Sequence, residues 1–230
     1  MSKTFPLVIK AVVIDLDGTL LHTAPDLADA ASLMLEELGM PAVELATIQT
    51  YIGNGVSRLV KRVLTRDMAA EPDAALFERA LPIYEKHYGR VLCAKSQIYP
   101  GVVEGLHAML KAGFHLACIT NKAEKFTLPL LESMGLFDNF ELILSGDSLS
   151  KKKPDPLPLL HACKHFGIEP HELLLIGDSL NDTQAARAAG CHVFCVPYGY
   201  NRGRSVEELD TDAVVQILLD AVKLIKKVEA

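Results

Sequence analysis

The chain has 230 residues, half of them hydrophobic, and 23 basic against 29 acidic side chains give it a formal net charge of −6. That composition supports a sizeable core, as one large domain or as a core with an insertion, and excludes a disordered chain. The acidic balance, with neither a basic tail nor basic residues interleaved with aromatics, points away from nucleic acid as a partner, and no apolar run reaches the roughly 18 residues of a membrane span.

In chain order, the first predicted element is a strand at Ala11 to Ile14. The apolar run around it, from Pro6, is broken by Lys10 and meets Asp15 without a small-residue cleavage site, so it does not read as a signal peptide. From about Ala24 to Leu92 there is no convincing strand. Apolar residues recur there with helical spacing, over Leu27 to Leu38, Leu45 to Ile52, Val56 to Leu64 and Ala74 to Tyr88. Beyond that segment, helical patterns at Val102 to Ala112, Phe126 to Met134, Leu157 to His165 and Asp182 to Ala189 alternate with short Val, Ile and Leu-rich runs. Those runs, at Leu116 to Ile119, Leu142 to Leu144, Leu173 to Ile176 and His192 to Val196, read as strands buried on both faces. The alternation predicts an α/β fold with a doubly wound parallel sheet, a Rossmann-like core, interrupted after its first strand by a helical insertion.

Cys93, Cys118, Cys163, Cys191 and Cys195 are scattered and form no CxxC pair, which suits reduced thiols in the cytoplasm. His161 and His165 share a helix face with Cys163 between them. No acidic or third ligand stands near them in sequence, and packing and solvation account for them.

In a parallel sheet, ligands bind beyond the carboxyl ends of the strands. The polar residues fall there: Asp15-Leu16-Asp17-Gly18-Thr19, Thr120-Asn121, Ser145-Gly146-Asp147 and Gly177-Asp178, with Asp182 one helical turn further. Asp15 and Asp17 share a face if the strand continues, with Leu16 packed behind. Two carboxylates so close repel unless a cation lies between them or one takes a proton. A hard divalent cation such as Mg²⁺ suits this rim of aspartates better than zinc, whose His and Cys ligands are missing. Gly18 is expected to turn the chain and expose amides to an anion, Thr120 to offer a hydroxyl and Lys153 a charge, which are the donors a phosphoryl group wants. Pro154 restricts Lys153 to an extended backbone, leaving Lys151 and Lys152 free. Asp147 reads as a turn former or helix cap. Asp182 has an alternative role as a first-turn residue stabilised by its helix dipole.

Four segments, "DLDGTL" at Asp15 to Leu20, "ITN" at Ile119 to Asn121, "KPDP" at Lys153 to Pro156 and "GDSLND" at Gly177 to Asp182, resemble in order the motifs of the haloacid dehalogenase superfamily. The resemblance covers nearly the whole chain, and the insertion resembles that superfamily's small α-helical cap. It implies a catalytic core of residues 1–23 and 93–230, a cap of residues 24–92, and a Mg²⁺-dependent phosphatase. Asp15 is then the nucleophile, giving an aspartyl-phosphate, and Asp17 the acid and base for leaving group and water. The implied metal ligands are the Asp15 side chain, the Asp17 backbone carbonyl and Asp178. Lys153 and Thr120 hold the phosphoryl oxygens, with Gly18 and Asn121 beside the substrate, and Asp182 orients Lys153 or a metal-bound water.

Within the superfamily, "TAPDLADA", "YIGNGVSRLV" and "VPYGYNRG" resemble the phosphoglycolate phosphatases, which implies a small phosphorylated acid, 2-phosphoglycolate, as substrate. His22 stands where those relatives usually carry an acid. Gly53-Asn54-Gly55 is no Walker loop, since no Gly-Lys-Ser or Gly-Lys-Thr follows, and reads as a turn between cap helices. After it, Val56, Leu59, Val60, Val63 and Leu64 form a buried stripe, leaving Arg58, Lys61 and Arg62 outside. A solvated face is the plain reading of those cations. The sharper one has Gly55 and Arg58 meeting the substrate's second anionic group. Related caps accept pyrophosphate, nucleotides or sugar phosphates. A dehalogenase is disfavoured by Asp17, and a sugar-phosphate mutase by the lack of a His in the cap's first segment after Asp26. A phosphoryl-receiving signalling domain, the rival of another class, resembles something shorter, without the insertion or the second aspartate. The oligomeric state stays open.

Overall fold

A computed structural model of the protein describes residues 4–227. The chain opens with β1 (Leu7–Ile9) and β2 (Ala11–Ile14), turns through the aspartates, and leaves the core by a two-residue strand, β3 (Leu21–His22). Four helices follow: α1 (Ala24–Glu37), α2 (Leu45–Tyr51), α3 (Val56–Thr65) and α4 (Ala74–Val91). The chain returns by β4 (Gln97–Ile98), antiparallel to β3. It then alternates through α5 (Val102–Lys111), β5 (His115–Ile119), α6 (Glu124–Ser133), β6 (Leu142–Leu144), α7 (Leu157–Phe166), β7 (Leu173–Gly177), α8 (Leu180–Ala189) and β8 (His192–Cys195). It closes with β9 (Ala213–Val214), α9 (Leu218–Ala221) and β10 (Ile225–Lys227), the last pairing parallel with β1.

The main sheet is parallel, in the order β6-β5-β2-β7-β8-β9. The chain winds outward from β2 through β5 and β6, then returns to β2's other side for β7, β8 and β9. Strand order therefore reverses at β2, and the crevice at such a reversal is where ligands bind. All four residues of β2 are fully buried. Val12 and Ile14 pack on one face with Leu106 and Met109 of α5, and Val13 on the other with Leu159 of α7 and Ala185 of α8. Each such burial contributes roughly 1.5–3 kcal/mol, so the end of β2 is a fixed platform.

The helical segment has its own apolar cluster: Leu27, Ala31 and Met34 of α1, Ile48 of α2, Leu59 and Val63 of α3, and Tyr84 and Tyr88 of α4, joined by Phe126 and Tyr200 from the core. Asp26, in the first turn of α1, clamps both connections. Its carboxylate accepts from the Lys95 amide at 2.8 Å and from the Ser96 amide and hydroxyl at 2.9 and 2.6 Å, just before β4. The expected elements are present with ends shifted by a few residues at most. The strands beyond expectation, β1, β3, β4, β9 and β10, span only two or three residues, too short to show a period. Among the described residues, no helix is long and apolar enough to cross a membrane.

Candidate active site

Three strand ends and one loop supply the polar rim. Asp15 follows β2, Thr120 follows β5 and Asp178 follows β7, while Lys153 comes from the loop before α7, and all four line one narrow cavity of about 40 Å³. Lys153 Nζ donates to Asp15 Oδ1, the Ile119 carbonyl and Asp182 Oδ1, at 2.7, 2.6 and 2.7 Å. Asp182 serves two structures. Its Oδ1 takes Lys153, and its Oδ2 accepts from the Ser179 amide and hydroxyl at 3.1 and 2.7 Å, closing a capping box at the start of α8. The helix-cap reading and the lysine-orienting reading of Asp182 thus describe one carboxylate.

Asp15, Asp178 and Asp182 bring ligand oxygens within 4.8 Å of one another, all in buried side chains. Burial pushes the Asp15 carboxyl up to about 7 against the pull of Lys153. Burial, then Asp182 and Asp15, raises Asp178 well above the carboxylate range. Burial opposes the Lys153 charge, yet Asp15 and Asp182 together hold its ammonium protonated beyond the usual lysine range. Four carboxylates, with Asp17, face two ammoniums, Lys153 and Lys122, in the cavity wall. This surplus of oxygen ligands and negative charge fits a hard divalent cation, and no His or Cys joins the cluster among the described residues. The Asp17 carboxylate stands outside the triad, since it accepts from the Thr23 hydroxyl at 2.6 Å and from Lys122 Nζ at 2.9 and 3.0 Å.

The helical segment closes the cavity with Leu27, Ile52, Val56 and Leu59. Its Gly53-Asn54-Gly55 turn is held from the core. Asn121 Nδ2 and Asn181 Nδ2 donate to the Gly53 carbonyl at 2.9 and 3.0 Å, and Lys152 Nζ to the Asn54 carbonyl at 3.0 Å. The Asn54 side chain donates to Asn181 Oδ1 at 3.1 Å and accepts from Arg202 at 3.1 Å. Lys152 is therefore not a free loop charge, whereas Lys151 pairs at the surface with Asp155. Asp147 is a cap, accepting from the Glu124 amide at 2.8 Å at the start of α6.

Several expectations need correction. Gly18 does turn the chain, at φ +92, but its amide donates to the Leu21 carbonyl and it does not line the cavity. A side chain there would strike Asp178. Asn121 lines the cavity, yet its Nδ2 is engaged by Gly53 and by the Lys153 carbonyl, leaving a buried Oδ1 without a partner. Gly55 lines the cavity and Arg58 does not. The Arg58 guanidinium is held by Glu71 at 2.5 Å and by the carbonyls of Met68 and Ala69. Arg62 is buried rather than solvated, donating to the Tyr51 carbonyl, Asn54 Oδ1 and the Met68 carbonyl, because the turn beside it has acceptors that no helix satisfies. His22 meets the hydroxyls of Tyr200 and Tyr99 at 2.8 and 3.2 Å, a hydroxyl partnership where an acid was expected in the relatives.

Sequence reasoning passed over Lys122, Asn181, Thr23 and Tyr200, all drawn to the site. All four sit inside or beside segments quoted above, so motif adjacency was the available signal. Thr23, at the start of α1, gives its hydroxyl to Asp17 instead of capping its helix. The Tyr200 amide, 22 positions beyond in the quoted VPYGYNRG segment, donates to Asp178 Oδ2, a pairing that local pattern does not show.

Residues 12–196 match the family model described as haloacid dehalogenase-like hydrolase. The chain is 70% identical over 225 residues to a phosphoglycolate phosphatase of Thiobacillus denitrificans, covering 98% of this chain and 99% of that protein. It is 64% identical over 223 residues to one from Nitrosospira multiformis, covering 97% and 98%. The crystal structure of a predicted phosphoglycolate phosphatase from Haemophilus somnus aligns with a TM-score of 0.88 at 34% identity, covering 94% of this chain and 97% of that one. With the aspartate and lysine rim at the strand reversal, these likenesses lead to one conclusion: the chain belongs to the haloacid dehalogenase-like hydrolases and is a phosphatase of that family.

Proposed function

We propose that the protein hydrolyses 2-phosphoglycolate to glycolate and phosphate through an aspartyl-phosphate on Asp15, with the helical segment, residues 24–92, as a cap over the site. The observation that carries this reading is the pairing of a buried Asp15, held by Lys153 at 2.7 Å, with a second aspartate whose carboxylate is separately anchored by Thr23 and Lys122. Two carboxylates held by different partners suit two tasks, attack on phosphorus and proton transfer at the leaving group. The relatives' names support the substrate.

In this reaction an Asp15 oxygen attacks phosphorus and the bond to the glycolate oxygen breaks. Asp17 protonates that departing oxygen and then takes a proton from the water that cleaves the aspartyl-phosphate. Lys153 and the Thr120 hydroxyl hold the phosphoryl oxygens. Asp15, Asp178 and the Asp17 backbone carbonyl would hold Mg²⁺, which when bound neutralises charge on the phosphoryl group. Phosphate-monoester hydrolysis asks for acceleration approaching ~10²¹, or roughly 29 kcal/mol. General acid-base work supplies only about 10²–10⁴ of that. Positioning and charge stabilisation must provide the rest, which is why so many groups converge.

The small cavity and its apolar lid favour a compact ester over nucleotides, sugar phosphates or proteins. The test is turnover of 2-phosphoglycolate, ethyl phosphate, pyrophosphate, a nucleoside monophosphate and a hexose phosphate, with Mg²⁺ present and absent. The reading expects Mg²⁺-dependent turnover with the highest kcat/KM on 2-phosphoglycolate. A higher value on any of the others would overturn the substrate, and isolation of a stable phosphoprotein without turnover would instead favour a phosphoryl-receiving signalling domain.

A further inference from the structure

Arg58, the cation expected to meet the substrate's carboxylate, is held elsewhere. Among the described residues that line the cavity, only Lys122 and Lys153 are cationic. An ammonium has three N–H donors. Those of Lys153 go to Asp15, Ile119 and Asp182, so Lys153 reaches a phosphoryl oxygen by exchanging its Asp15 bond as Asp15 attacks, and has no further donor for a second anionic group. Lys122 reaches Asp17 Oδ1 at 2.9 Å and Asp17 Oδ2 at 3.0 Å, which leaves one donor over. Its side chain is 2% exposed, and the Tyr88 ring lies 5.0 Å from the ammonium. Sheltered from water, that remaining donor pairs more strongly with an anion than a surface lysine would.

Position decides which anion. Lys153 adjoins Asp15, on the phosphoryl side. Lys122 adjoins Asp17, the group that meets the departing oxygen, and in glycolate the carboxylate is borne by the carbon next to that oxygen. We infer that Lys122 is the specificity-determining residue, its free N–H donating to the carboxylate of the leaving group. The inference rests on the phosphoglycolate reading above. The two lysines divide the substrate, one at each charged end, and no arginine takes part.

The experiment compares kcat/KM for 2-phosphoglycolate and for ethyl phosphate, which lacks the carboxylate, in wild type, Lys122→Gln, Lys122→Met and Lys122→Arg. The ratio of two substrates on one preparation cancels any inactive fraction, so partial misfolding cannot imitate the result. Losing the Asp17 contact lowers both rates; losing carboxylate recognition lowers their ratio. The expected outcome is a ratio reduced roughly tenfold to a hundredfold in Lys122→Gln and Lys122→Met, and largely kept in Lys122→Arg. A wild-type preference that persists in both neutral variants overturns the role of Lys122 and leaves the substrate reading standing. A wild type with no preference for 2-phosphoglycolate overturns the substrate reading, and this inference with it.

Discussion

Lys153 and Asp15, 138 positions apart in sequence, meet at 2.7 Å with the lysine side chain 2% exposed. Removing one partner of a buried pair leaves the other uncompensated, at about 3–5 kcal/mol. Lys153→Met should lower kcat/KM by roughly 10³ or more, through loss of phosphoryl clamping, and lower the thermal midpoint. Lys151→Ala, at the exposed pair with Asp155, should change neither. Matched effects in steady-state assays and melts of the two variants would remove Lys153 from its special position.

Asp15→Asn should abolish turnover while the fold stays intact, since an amide of nearly equal volume cannot attack phosphorus. Circular dichroism checks the fold. Substantial Mg²⁺-dependent activity, after deamidation is excluded by mass spectrometry, would refute the nucleophile assignment.

Asp178 sits among like charges, so a divalent cation should stabilise the folded protein, by about 2.7 kcal/mol at a hundredfold excess over its Kd. The thermal midpoint of chelator-treated wild type should rise with added Mg²⁺. In Asp178→Asn the rise should be lost or strongly reduced, and with it the Mg²⁺-dependent rate. An undiminished rise in the variant would place the cation elsewhere.

Gly18 has φ +92, and a Cβ there would lie 2.4 Å from Asp178 Oδ2. Gly18→Ala combines backbone strain of order 1–3 kcal/mol with displacement of Asp178. Stability should fall by about that amount in denaturant titration, and half-saturation by Mg²⁺ in the activity assay should move to higher concentration. A variant with wild-type stability and Mg²⁺ response would contradict the packing of this turn against Asp178.

Asn181 holds the Gly53 carbonyl and the Asn54 side chain across the seam between core and helical segment. Asn181→Ala should loosen that closure and raise KM for 2-phosphoglycolate several-fold. Arg58→Ala, whose guanidinium faces Glu71, should leave KM unchanged. An inverted pattern, with KM responding to Arg58 and not to Asn181, would restore Arg58 to the site.

Much of this protein was legible in its sequence because the signals are local. A both-face-buried strand such as Ala11–Ile14 is written as an unbroken apolar run, the amphipathic helices as spaced apolar residues, the helical insertion as a stretch without strands, and the polar rim as aspartates immediately beyond the strands. Those features depend on neighbours within a few positions. The family resemblance added the roles of the site residues, Asp15 as nucleophile among them, and the likeness of the helical insertion to a cap.

Only the tertiary structure decided which charges meet. Arg58 and Lys122 look alike as single cations near polar residues. Arg58 is turned away because Glu71 and two carbonyls surround its guanidinium, and Lys122 is drawn in because Asp17, 105 positions earlier, accepts both of its engaged N–H groups. The turn expected between helices at Gly53-Asn54-Gly55 is held from the core for a similar reason, since donors to it come from the loop after β5, from α8, from the loop before α7 and from the loop after β8. A side chain's rank in the sequence pattern reports whether it is buried or exposed. Its ion-pair partner is set by the register and winding of strands far apart in the chain, and the charge balance of this cavity follows from that winding.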